Sequence, residues 1–97
     1  MLMTRQRLGE KREAILKIAH KHGARDVRVF GSVARGDATE SSDLDLVVRF
    51  DEGRTLLDQG GLLMELRELL GVKVDIISEG ALTGRFGQIV LGEAVPL

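Results

Sequence analysis

Residues 31–48 read GSVARGDATESSDLDLVV. The first part is a glycine-serine turn followed by a polar loop. The second alternates acid and aliphatic through Asp43, Leu44, Asp45 and Leu46. Such alternation is a strand signature, because successive side chains leave a strand on opposite faces. Leu44 and Leu46 then enter a core, and Asp43 and Asp45 share the other face. Two carboxylates on one face repel, and burying them costs free energy unless a positive charge sits between them.

The neighbouring elements follow from the same kind of reading. Val27–Phe30 forms a short strand, with Val27 and Val29 alternating, that runs into the Gly31-Ser32 turn. Val33–Arg35 begins a helical turn that Gly36 breaks, and residues 36–42 are loop. Leu44–Phe50 is a second strand and Asp51–Arg54 a turn. From Leu56 to Leu70 the leucines at 56, 63, 66 and 70 have helical spacing. Gly60-Gly61 interrupts them, which allows either a kink or a loop before a shorter helix. Gly71 closes that helix, and Val72–Ile77 is a third strand. Thr4 caps a first helix over about residues 5–22, with Gly23 as its left-handed stop. A last amphipathic helix covers about Arg85–Glu93. The fold class expected is α/β (α+β), a small mixed β-sheet with helices packed on one face, in one domain spanning residues 1–97.

The third strand repeats the phase of the second. Val72, Val74 and Ile76 form one set, and Lys73, Asp75 and Ile77 the other. If the two strands are neighbours with matching faces, Asp75 joins Asp43 and Asp45. Asp75 alone reads as a solvated strand residue and Asp43 as a turn cap; three acids in one phase call for a cation. Mg²⁺ is hard, takes oxygen ligands, and is held by one or two carboxylates plus substrate phosphates. Two such ions about 4 Å apart clamp the attacking and leaving oxygens of a nucleotidyl transfer.

Gly31-Ser32 stands at the end of a strand and the start of a helical turn. Glycine allows close backbone approach, and a helix start offers free N–H groups that bind phosphate. The Ser32 hydroxyl adds a donor and Arg35 a cationic fork. A lone Gly-Ser pair is weak evidence; its position on the same sheet edge as the acids places a phosphate cradle beside a metal site.

Composition narrows the classes. The 97 residues carry 14 basic and 15 acidic side chains, net charge −1, which gives no broad footprint for nucleic acid or an anionic membrane. The three aromatics are all Phe, too few for base-stacking platforms. No apolar run reaches membrane-spanning length, and the basic N-terminus, without an apolar h-region or small-residue cleavage site, is not expected to be a secretion signal. With no Cys there is no disulfide or thiolate metal site, and a cytoplasmic location is the default. Arg outnumbers Lys ten to four, and Asn is absent along with Cys. Loss of Asn and Cys is a thermophile tendency, although a GC-rich genome would also favour Arg.

Gly31-Ser32, then Ala34-Arg35-Gly36-Asp37, then Ser42-Asp43-Leu44-Asp45-Leu46, resembles the signature of the nucleotidyltransferase superfamily that includes DNA polymerase beta. Val74-Asp75-Ile76 resembles its third carboxylate strand. The short length and the loop look most like the minimal nucleotidyltransferases, the antitoxin halves of HEPN/MNT toxin–antitoxin pairs. The resemblance implies that Asp43 and Asp45 hold two Mg²⁺ ions and the triphosphate. It makes Asp75 the third ligand and general base, and gives Gly31, Ser32 and Arg35 to the nucleotide's phosphates. It implies transfer of AMP from ATP to a hydroxyl, a tyrosine near the active site of a HEPN RNase toxin, with pyrophosphate released. This chain has no Tyr, so a tyrosine acceptor belongs to another protein, and a hetero-oligomer is expected. The chain is short for the added domains that hold other acceptors.

Two other functions stay open: a binding module that masks its partner without catalysis, and nucleotidyl transfer to a small molecule such as an aminoglycoside. The segment from Phe86 to Leu97 is either a docking element or an ordinary packing helix. His20 and His22 read as structural, Asp37 as a turn residue, and Lys73 as an ion-pair partner on the acidic face. Arg25 and Arg28 are surface charges or part of a partner-facing patch.

Overall fold

The computed structural model describes residues 2–97. Its elements run α1 (Arg5–Glu10), α2 (Arg12–Lys21), β1 (Ala24–Phe30), α3 (Gly31–Arg35), β2 (Leu44–Phe50), α4 (Leu56–Leu70), β3 (Val74–Ser78), a 3-10 turn (Glu79–Ala81), α5 (Gly84–Glu93) and β4 (Val95–Pro96). The sheet order is β3-β2-β1-β4. β1 is antiparallel to β2 and β4, and β2 is parallel to β3. The sheet is therefore mixed, as expected. Among the described residues no helix is long and apolar enough to cross a membrane.

Parallel neighbours cannot be joined by a hairpin, so β2 needs a crossover to reach β3, and α4 supplies it. Thr55 starts that helix: its hydroxyl accepts from the Leu57 N–H at 3.2 Å, and Asp58 reaches back to the Thr55 N–H at 2.8 Å. Gly71, at φ +67°, ends it in the left-handed region. The core lies between the helices and one sheet face. Ile15 and Ala19 of α2, Val33 of α3, and Leu62, Leu66 and Leu70 of α4 pack on Val29, Leu44, Leu46, Val48 and Val74. The strand members of this set share one phase, since Val29 pairs with Leu46 and Leu44 with Val74. The opposite phase of β2 carries Asp45, Val47 and Arg49. Val47 is fully buried there, outside the main cluster.

Several boundaries differ from the sequence reading. The first helix breaks at Lys11, whose N–H bonds back to Leu8 at 3.1 Å in a tightened last turn; Gly9 weakens the helix just before it. β1 begins at Ala24 rather than Val27. Its polar Arg25-Asp26 hides a bulge: Asp26 sits at φ +50° and the register with β2 shifts between Arg25 and Arg28. β3 begins at Val74 rather than Val72, because residues 71–73 are spent leaving the Gly71 cap. β4 was not legible, being a two-residue pairing that contains Pro96, which the sheet tolerates only at an edge. The Arg12 Nε donation to the Leu97 carbonyl at 2.8 Å also straps this end down.

Gly60-Gly61 does not open α4 into a loop: the helix is continuous over 15 residues. The two glycines differ. A Cβ at Gly60 would meet nothing within 4 Å, whereas one at Gly61 would meet His22 Cε1 at 2.8 Å. Gly61 lets α4 approach the end of α2, where His22 also lies 3.5 Å from Glu65. His22 packs under α4, whereas His20 is exposed on α2. Gly60→Ala is expected to stabilise the protein by about 0.5–1 kcal/mol through helix propensity. Gly61→Ala is expected to destabilise it by displacing His22. Urea midpoints of the two variants test this, and equal shifts would contradict it.

Candidate active site

The β2–β3 register sets Asp45 directly opposite Asp75. The β1–β2 register sets Phe30 opposite Asp45 on the other side. Asp43 immediately precedes β2. The Leu44 N–H donates to the Lys73 carbonyl at 2.9 Å, which fixes this end of β2 beside the entry to β3. Asp43 is close enough for its carboxyl to hydrogen-bond that of Asp75. All three predicted acids therefore meet at one end of the β2–β3 pair.

The Gly31-Ser32 turn arrives from the other side. α3 follows β1 without a linker, and Gly31 at its start has φ +76°. A Cβ at Gly31 would collide with Asp45 Oδ2. Glycine is thus required twice, by backbone conformation and by the carboxylate packed against it. Gly36, at φ +85°, ends the short helix, and the N–H groups of Gly36 and Asp37 both donate to the Ser32 carbonyl, at 2.9 and 3.0 Å. Arg35 extends from α3; its Nε donates to Asp37 Oδ2 at 3.3 Å and its Nη1 to Glu93 Oε1 at 2.8 Å. The Asp37 side chain thus pairs with the Arg35 guanidinium at the surface.

The electrostatics are those of carboxylates short of positive charge. Burial first, then Asp75, Asp43 and Glu93, push the Asp45 carboxyl up to about 6, against a small opposing pull from Arg35. Asp75 is also raised, by burial first and then by the hydrogen bond and charge of Asp43; Arg67 and Lys73 pull it down. Among the described residues, no three His, Cys, Asp or Glu side chains stand as a ready-made metal cage. The acids are gathered rather than closed around a point. Their donor chemistry, hard carboxylate oxygens only, fits Mg²⁺, which draws its remaining ligands from phosphate and water.

Two residues of the site were missed by sequence reasoning. Glu93, the last residue of α5, accepts from the Gly31 N–H at 2.6 Å. Arg67 of α4 donates to the Val74 carbonyl at 3.3 and 3.1 Å, beside Asp75. Neither carried a local signal, since each meets its partner only through tertiary packing. Arg28 and Arg25 are engaged away from the acids, Arg28 with Glu79 and Arg25 with Asp51, each at 2.7 Å. On α5, Gly87 and Val90 are buried while Phe86, Ile89 and Leu91 are exposed, so one face packs and the other is open.

Comparison with known proteins adds the following. A family model described as a nucleotidyltransferase domain matches residues 11–94. The protein adenylyltransferase MntA of Thermococcus cleftensis is 38% identical over 79 residues, covering 81% of this chain and 80% of the relative. A solved structure described provisionally as a minimal nucleotidyltransferase is 57% identical with a TM-score of 0.88, covering 98% of this chain and 97% of the other. A toxin–antitoxin structure with AMP-PNP shares the fold at 20% identity and a TM-score of 0.75, covering 87% of this chain and 69% of the other.

The raised Asp45 carboxyl has a definite consequence for stability. The folded protein keeps that proton up to about pH 6, whereas an unfolded aspartate loses it near pH 3.9. Without divalent cation, stability should fall as pH rises through that window. Asp45→Asn should melt above wild type at neutral pH in EDTA, with the gap closing near pH 4. A gap that is constant across the window would contradict the assignment.

Proposed function

The chain belongs to the nucleotidyltransferase domain family as a minimal member, and from that premise we propose that it is an ATP- and Mg²⁺-dependent protein adenylyltransferase acting as an antitoxin. AMP passes from ATP to a hydroxyl, most simply a tyrosine, of a partner toxin of HEPN type. The observation that carries this reading is the convergence of Asp45, Asp75 and the Gly31 turn. It brings hard oxygen donors, a carboxyl raised toward the base range and the backbone N–H of a glycine turn together at one end of the sheet, which supports a metal and phosphate site there. The adenylyltransferase name of the 38% identical relative supports the transfer of AMP. The fold neighbour described as a toxin–antitoxin with AMP-PNP supports ATP and a toxin partner.

Each residue has a physical role in the reading. Asp43 and Asp45 would hold Mg²⁺, whose charge offsets their mutual repulsion and that of the triphosphate. Gly31, Ser32 and Arg35 bind the outer phosphates, which fixes the α-phosphorus over the acids. Asp75 takes the proton of the attacking hydroxyl; its raised pKa makes it a stronger base than an ordinary aspartate. The acceptor oxygen bonds to the α-phosphorus, the bond to the bridging oxygen breaks, and pyrophosphate departs. Because the chain has no Tyr, the tyrosine must come from the partner.

A second reading, masking without transfer, draws on the exposed Phe86, Ile89 and Leu91 of α5. One experiment separates the two. The protein is mixed with labelled ATP, Mg²⁺ and the product of its neighbouring gene. Wild type should label that product, and the Asp43→Ala, Asp45→Ala double variant should leave it at background. Absence of label with wild type, or full labelling by the double variant, overturns the transfer reading. A double variant that binds and still neutralises the toxin favours masking.

A further inference from the structure

Glu93 stands where the proposed reading puts a phosphate. The Gly31 N–H donates to Glu93 Oε1 at 2.6 Å, and Arg35 Nη1 donates to the same oxygen at 2.8 Å. One carboxylate oxygen thus bridges two donors assigned to the nucleotide. Carboxylate and phosphate oxygens are alike in charge and in accepting charge-assisted hydrogen bonds. A single amide hydrogen cannot serve both fully. The Gly31 contact is part-buried, with the Glu93 side chain 26% exposed, whereas the Arg35 side of the bridge is open to water, with Arg35 51% exposed. Its placement is also set by the fold. Ala94 N–H closes the end of α5 on the Val90 carbonyl at 2.9 Å, and Val95 then pairs with Val29 of β1. The Glu93 carboxylate is thereby held within reach of the turn from the chain's far end.

We infer that Glu93 is an internal competitor for the nucleotide, occupying the phosphate donors of Gly31 and Arg35 until a polyphosphate displaces it. The inference rests on the assignment of those donors to phosphate. Displacement breaks two hydrogen bonds to Glu93 and remakes them to phosphate, with no covalent change. It also moves one negative charge away from Asp45 as the triphosphate arrives, so the acid face is not left with both. The competition lowers affinity for nucleotides that reach the turn. It does not act on AMP, whose single phosphate lies over the acids.

The test measures AMP-PNP binding in Mg²⁺ by titration calorimetry for wild type, Glu93→Gln and Glu93→Ala, with thermal melts to confirm folding. Glu93→Gln keeps the side-chain length and replaces a charged acceptor by a neutral one. It should bind AMP-PNP about tenfold tighter, and Glu93→Ala at least as tightly, with AMP affinity nearly unchanged. In wild type, the Glu93 carboxyl carbon resonance should shift on adding AMP-PNP and stay in place on adding AMP. That measurement needs no variant to fold. AMP-PNP bound equally well or more weakly by both variants, or an unmoved Glu93 resonance in the saturated wild type, overturns the role of Glu93 and leaves the nucleotide site standing. No AMP-PNP binding by any of the three proteins overturns both.

Discussion

Everything in this molecule turns on two aspartates placed side by side in a parallel ladder. Asp45 faces Asp75, with Asp43 within hydrogen-bond reach of the latter. Like charges directly opposed in a sheet are destabilising. What holds them there is the other face of the same strands. Leu44, Leu46 and Val74 are fully buried against α2, α3 and α4. A one-residue slip would turn those side chains to the acid face, so the register is fixed by burial. The apolar core thus orders a polar site that would not assemble by itself.

The second constraint is steric. The φ of Gly31 and the carboxylate packed on it leave no room for a side chain. This brings the backbone N–H of the turn next to the acids. The same closeness explains why Asp45 titrates high, since burial is the largest cause of its shift. The turn and the acids form one unit, with backbone donors on one side and carboxylates short of positive charge on the other; in the proposed reading phosphate meets the first and metal the second. Glu93 accepts from the donors of the turn, while among the described residues Arg35, Arg67 and Lys73 only partly offset the raised carboxyls.

Much of this was legible in the sequence because its signals are local and periodic. The alternation through Asp43–Leu46, repeated around Asp75, gave the strand phase, and that phase survived a two-residue error in where β3 begins. Parity, not the boundary, decides which side chains share a face. What stayed hidden was tertiary. The bulge at Asp26 looked like ordinary polar sequence. Gly61 looked like a break and is a seat for the His22 ring. Glu93 lies 62 residues from its partner Gly31, and no spacing rule reaches that far.

The central claim is that the acids and the Gly31 turn form a single metal–nucleotide site. Paramagnetic broadening of backbone amide resonances by Mn²⁺, added with AMP-PNP, reads this directly. Loss of signal should centre on Asp43, Asp45 and Asp75 and extend to Gly31 and Ser32, and Asp45→Asn should greatly weaken it. Broadening centred elsewhere, or unchanged in Asp45→Asn, would contradict the account.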